Sequence, residues 1–191
     1  MADPYPNITR LNKKEVRLDG GKFLSVYYIA PYWPTRYVVE HQQEDSVQIL
    51  RLKSGNPDAA FYFAAKLKSA LAGADQKYVV TMPSHQVGCA SVSGGLRQLL
   101  RLVPGVHDLS DCLIRHTKVQ QSVSAWRGRR PTIEAHRDSM RANNPEQLKD
   151  RNLVLLDDVV TKGATMCGAS LVLELAGAKS VTCLSITSTQ Q

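Results

Sequence analysis

The chain has 191 residues, 43% hydrophobic and 21% charged, with a net charge of +7, which suits one globular domain with a sizeable core. No apolar stretch approaches the ~20 residues that cross a bilayer. The start, Met-Ala-Asp-Pro-Tyr-Pro-Asn, lacks the basic-then-apolar order of a signal peptide. Cys89, Cys112, Cys167 and Cys183 are too widely spaced for a zinc ribbon or a disulfide framework, so the expectation is a cytoplasmic protein with reduced, buried thiols.

Residues 1–19 are polar and turn-rich, which predicts a loosely held start. Phe23 to Ile29 and Arg36 to Val39 read as short strands rich in β-branched and aromatic residues. Tyr27, Tyr28, Tyr32, Trp33 and Tyr37 cluster there, and packing of a small sheet is their expected use. Ser46 to Lys53 reads as a further strand, with a helical turn as the alternative. Asn56-Pro57-Asp58 is a strong helix start, with a capping residue, a proline at the first position and an acid in the first turn. That helix is predicted to run to Leu71, with Phe61, Ala64, Ala65, Leu67 and Leu71 as its apolar stripe. Lys77 to Met82 reads as a buried strand, Ser93 to Val103 as a helix and Asp111 to Ile114 as a strand. Pro131 to Arg141 has room for a short helix. Leu153 to Leu156 is a strand, Ala164 to Ala176 a helix, and Ser180 to Ile186 the last strand. From residue 57 helices and strands alternate, which predicts an α/β fold with a mostly parallel sheet flanked by helices. The N-terminal strands are expected to form a small β-rich hood over the ligand end. This divides the chain into an appendage, 1–55, and a core, 56–191, in one compact unit.

The informative segment is Asn152-Leu-Val-Leu-Leu-Asp157-Asp158-Val-Val-Thr161-Lys162-Gly163-Ala164-Thr165. An apolar strand ends in two carboxylates, a short loop follows, and a helix begins. Open parallel sheets bind ligands at that end of a strand. Adjacent carboxylates can accept hydrogen bonds from two neighbouring hydroxyls, such as those of a ribose. Gly163 lets the backbone approach a ligand closely, and N–H groups at a helix start favour a phosphate. Thr161 and Thr165 add hydroxyl donors. The plain alternative is an ordinary strand-to-helix turn with Asp158 as an N-terminal charge. The positive charge is also uneven: Arg115, Lys118, Arg127, Arg129, Arg130, Arg137 and Arg141 face only Glu134 and Asp138 in their stretch. Such a segment can meet phosphate, pyrophosphate or nucleic acid, or simply face solvent.

The strand, acids and loop closely resemble the phosphoribosyl-pyrophosphate (PRPP) loop of type I phosphoribosyltransferases. Only Lys162 departs from the usual form. Over about residues 46–187 the order of segments is most similar to the competence-protein ComF-like branch. Ile49-Leu-Arg-Leu-Lys53-Ser-Gly55 and the following helix carry that likeness, as do Val79-Val-Thr-Met-Pro83-Ser-His85 and Arg115-His-Thr117-Lys-Val-Gln120. The resemblance implies that Asp157 and Asp158 bind the ribose hydroxyls, the second also assisting an oxocarbenium-like transition state. It implies that Thr161, Lys162, Gly163, Ala164 and Thr165 hold the 5′-phosphate, Lys162 through its ammonium or, as we favour, through its backbone with the side chain in water. Pro83, Ser84 and His85 would belong to the pyrophosphate loop, although His85 alone also suits a surface position. Arg115, Lys118, Gln120, Arg127, Arg129, Arg130 and Arg137 would lie on a mobile basic flap that closes over PRPP. The family's Arg-Gly-Phe-Asn-Gln stretch is replaced by Val87 to Leu96, with Arg97 as a substitute cation for pyrophosphate. Mg²⁺ is expected to reach the site on the pyrophosphate oxygens rather than through direct protein ligands.

Two functions follow. One is transfer of the phosphoribosyl group from Mg-PRPP to a nitrogenous acceptor with release of pyrophosphate. The other is a module that senses PRPP or a nucleotide, or binds single-stranded nucleic acid through the basic segment and Trp126, as the accessory subunit of a DNA- or RNA-handling system. No membrane partner is expected, and a homo-oligomer is a fair expectation.

Overall fold

A computed structural model describes residues 4–17, 23–33, 43–84, 87, 94–119 and 131–189. Two strands, β1 (Asn12–Arg17) and β2 (Phe23–Tyr32), are followed by two helices, α1 (Gln43–Lys53) and α2 (Pro57–Ala70). Next come β3 (Lys77–Thr81), α3 (Gly94–Arg101) and β4 (Val106–Asp108). β5 (Leu113–Arg115), α4 (Ile133–Asp138) and β6 (Met140–Ala142) form the middle, and β7 (Asn152–Val160), α5 (Ala164–Leu175) and β8 (Ser180–Thr189) the end. The main sheet has the order β1-β2-β8-β7-β3-β4. Every pairing from β2 to β4 is parallel, and only β1 with β2 is antiparallel. This is the expected α/β architecture.

β7 shows why the strand order suits the sequence. Leu153, Val154, Leu155 and Leu156 are all fully buried, as a central strand covered on both faces requires. Successive side chains point to opposite faces, and the packing follows that alternation. Val154 and Leu156 join the core beneath α1, α2 and α3, with Ile49, Phe63 and Leu96. Leu153 and Leu155 join the second core beneath α5, with Met166, Ala169 and Leu173.

The N-terminal part departs from expectation. The hood does not stand apart from the sheet among the described residues: β2 pairs in parallel with β8, from Val26↔Cys183 to Tyr32↔Thr189. Without β2, β8 would leave a row of unpaired backbone groups along a long edge. Tyr27, Ile29 and Tyr32 accordingly pack on the first core. The expected strand 36–39, and Tyr37, lie outside the described residues. The chain start is anchored rather than loose. Tyr5 and Ile8 are buried, and the Tyr5 hydroxyl donates to the Asn152 carbonyl at 2.8 Å. Burial pushes that phenol up to about 12.

Ser46 to Lys53 is helix, not strand. Its buried residues are Ser46, Ile49 and Leu52, while Val47 and Leu50 are exposed. Spacing of three is a helical face, whereas a strand would bury alternate residues. Glu44 and Asp45 in the first turn and Arg51 and Lys53 in the last match the helix dipole. In α2 the Asn56 cap forms as read, its side chain accepting from the N–H groups of Asp58 and Ala59 at 3.0 and 3.2 Å. The stripe is turned, however: Ala60, Phe63, Leu67 and Ala70 face the core, and Phe61 is 65% exposed. Asp111 to Ile114 is also split, a 3-10 turn at Ser110–Cys112 leading into β5.

Candidate functional site at the carboxyl ends of β3 and β7

β7 delivers Asp157 and Asp158 to the edge of the core. Asp158 is 9% exposed. Alternation places it on the α1 face, and the Lys53 ammonium at the end of α1 lies 3.3 Å from its Oδ1. Asp157 accepts a hydrogen bond from the Asp158 N–H at 2.9 Å through Oδ1. Burial, and then the neighbouring Asp158 carboxylate, raise the Asp157 pKa well above the ordinary carboxylate range, against an opposing pull from Lys53. The Thr187 hydroxyl on β8 donates to the Asp158 carbonyl at 3.2 Å and so steadies the strand end. Two adjacent carboxyl groups next to one lysine can accept hydrogen bonds and stabilise positive charge.

The loop after β7 is short. Thr161 and Lys162 are exposed, and Gly163 is buried. Gly163 caps α5 with φ +79° and no side-chain cap. The Gly163 carbonyl accepts the first helical bond, from the Cys167 N–H at 2.9 Å. The N–H groups of the first turn, at residues 164–166, therefore have no intrahelical partner and can serve an anion. A Cβ on Gly163 would lie 2.4 Å from Val16 Cγ2, so both the dihedral and the close approach of β1 require glycine.

The second wall is the end of β3. Thr81 pairs with Leu156, so residues 82–84 continue alongside the acid pair. The Met82 N–H donates to the Leu156 carbonyl at 2.8 Å. The Ser84 carbonyl accepts from Arg115 Nε at 3.1 Å. Arg115 is thus a buried residue of β5, 4% exposed. It also donates to the Ser139 hydroxyl and forms no ion pair with a carboxylate among the described residues. Desolvation lowers its pKa, but a guanidinium stays charged.

The basic segment leaves and returns through the β5–β6 ribbon, in which Arg115 pairs with Met140. Its returning arm, α4, is pinned to α5. A Cβ on Gly168 would meet the Arg137 backbone nitrogen at 2.7 Å and the Ile133 carbonyl oxygen at 2.9 Å. His136 of α4 is buried, and its Nε2 lies 3.3 Å from the Thr165 hydroxyl. Desolvation, then the Arg115 charge, lower its pKa, which keeps the ring neutral.

The residues singled out in the sequence are therefore placed differently. Asp157, Asp158, the stretch 161–165, Pro83 and Ser84 converge at one end of the sheet. Arg115 supports that end from behind. Arg97 on α3 pairs with Asp111, and Arg137 pairs with Asp138 at 2.8 Å beside a groove of about 390 Å³ that also includes Val172 and Leu175. Lys118 is exposed. His85, Gln120, Arg127, Arg129 and Arg130, like Trp126, lie outside the described residues. Four residues had been missed: Lys14, Val16, Lys53 and His136. Only Lys53 carried a signal, as the last residue of the quoted 49–53 run, once that run is seen as a helix ending at the acid pair. Lys14 and Val16 act through a tertiary contact that no spacing reveals, and His136 meets Thr165 only once α4 packs on α5.

An open parallel sheet, an acidic strand end and a glycine-opened helix beside it define an α/β domain whose strand ends offer acceptors for hydroxyl groups and N–H donors for an anion. The phosphoribosyl transferase domain model matches residues 62–189, more than half of the chain, and the chain belongs to that family. A comparison with curated proteins finds no significant match.

Proposed function

We propose that the protein binds Mg-PRPP and transfers its phosphoribosyl group to a nitrogenous acceptor, as a member most similar to the ComF-like branch. The observation that carries this reading is the placement of Asp157 and Asp158 at the end of β7, three residues before the loop that opens α5. The carboxylates accept the two ribose hydroxyls. The first-turn N–H groups of α5 and the Thr161 and Thr165 hydroxyls hold the 5′-phosphate. Residues 82–84 face the pyrophosphate. The C1–oxygen bond breaks with its electron pair leaving on pyrophosphate, and the acceptor nitrogen supplies the pair for the new C1–N bond. Asp158, held beside Lys53, stabilises the cationic ribosyl centre between those events. Catalysis then rests on positioning and electrostatics.

The donor set suits a magnesium ion carried by the ligand. A small hard cation keeps waters and phosphate oxygens as ligands. When bound, magnesium neutralises charge on the departing pyrophosphate.

The test is the thermal midpoint with millimolar PRPP, with and without Mg²⁺, because a ligand specific to the native state raises it. A Mg-dependent rise, followed by pyrophosphate release when nitrogenous bases are added, supports the transferase. No shift sinks it in this form and redirects the search to nucleic acid.

A further inference from the structure

We propose that Lys14, on the edge strand β1 and outside the matched segment, is a positioning residue of the phosphate loop: it holds the Thr161 carbonyl to one side and thereby turns the Lys162 N–H towards the 5′-phosphate. The inference rests on the PRPP reading above. Lys14 Nζ donates to the Thr161 carbonyl at 2.7 Å and to the Thr189 carbonyl at 3.3 Å. The described chain has no cis peptide, and in a trans peptide the C=O and the next N–H point in opposite directions. Fixing the Thr161 oxygen on the β1 side therefore fixes the Lys162 hydrogen on the other. A freely rotating peptide would present its carbonyl oxygen to the ligand in part of its population, and that oxygen repels a phosphate.

Three further features agree. Val16 lies two residues after Lys14, hence on the same face of β1, and it is the residue that packs against Gly163. One face of β1 thus covers the loop from Thr161 to Gly163. The neighbouring Lys13 pairs with Glu15 at 2.7 Å, whereas Lys14 forms no ion pair with a carboxylate among the described residues. Its charge is left free to act on the loop and on an anion bound there. Burial, with no carboxylate among the described residues to oppose it, lowers the Lys14 pKa.

The test compares the full chain with Lys14→Met, which keeps the aliphatic stem, and with Lys14→Arg, which keeps the charge. Calorimetry gives affinities for ribose 5-phosphate, which engages the loop, and for magnesium pyrophosphate, which does not. Lys14→Met is expected to weaken ribose 5-phosphate about tenfold, the worth of one charge-assisted hydrogen bond, with pyrophosphate affinity unchanged. Lys14→Arg is expected to restore most of the loss. Unchanged ribose 5-phosphate affinity in Lys14→Met overturns the inference, and so does an equal loss for both ligands, which would mean general support of the fold. If Lys14→Met does not fold, Lys14→Gln takes its place, because its amide can still donate to one carbonyl without the charge. A wild-type chain that binds neither PRPP nor ribose 5-phosphate overturns the PRPP reading itself, a result distinct from selective failure of the variants.

Discussion

The two strand ends that frame the site are built in different ways. After β7 the chain needs three residues to reach α5, and one glycine supplies both the left-handed turn and the helix cap. After β3 residues 82–84 rest on an arginine from β5, whose guanidinium is 31 residues further along the chain. The first end takes its turn and helix cap from adjacent residues, with β1 reaching it from outside through Lys14 and Val16. The second depends on a buried cation whose own contacts include Ser139 and Met140. The turn and cap of the first kind can be written in a dozen consecutive residues. An end of the second kind exists only once the β5–β6 ribbon has formed.

That contrast can be broken or sharpened by substitution. The largest effect is expected at the acid pair. Asp157→Asn combined with Asp158→Asn should weaken PRPP about a hundredfold or more, since each carboxylate accepts a charge-assisted bond of about 1.5–3 kcal/mol. Calorimetry checks this, and retained affinity would reduce the pair to an ordinary strand end. Arg115→Met probes the other end. It leaves the Ser84 carbonyl without this donor and should destabilise the fold by about 2–3 kcal/mol in urea unfolding. A variant as stable as the parent would show that the β3 end does not depend on that cation. Gly168→Ala forces a methyl group against the backbone of α4 and should cost about 1–3 kcal/mol despite alanine's better helix propensity. An unchanged or raised melting point would mean that α4 can move off α5 at no cost.

The last test is pH. Asp157 titrates higher in the folded chain than in the unfolded one, so folding takes up a proton in the interval between the two values. Its stabilising contribution is complete below the ordinary carboxylate range and is lost as the pH rises toward neutrality. The thermal midpoint of the wild type, relative to that of Asp157→Asn, should therefore drop across that interval. PRPP affinity should move the opposite way, rising with pH as the carboxylate ionises. A flat difference between the two proteins would place Asp157 in ordinary solvent.

Local patterns were legible wherever one strong constraint acted. The Asn56-Pro57 start of α2 is such a case, as is the β7–loop–α5 unit, where a buried strand must end before two acids and a glycine must open the helix. Alternation of helices and strands likewise announced the parallel sheet. Patterns failed where burial was decided by partners. In 46–53 the apolar residues suit either a strand or a helix, and packing on α2 and the sheet selects the face with Ile49 and Leu52. In α2 an aromatic occupies each of three successive positions, 61–63, so composition could not say that Phe63 points inward and Phe61 outward.

By itself, then, the order of residues determined the parallel α/β core, the acidic strand end and the glycine turn beside it, because each depends on backbone geometry within a few residues. Tertiary structure alone decided that β1 and β2 extend the sheet, that Lys53 meets Asp158, that Arg115 is buried behind Ser84, and that Lys14 reaches the Thr161 carbonyl 147 residues away. Those contacts form between segments far apart in the chain, and their energy comes from closing sheet edges and satisfying buried polar groups, which no single segment can show in isolation.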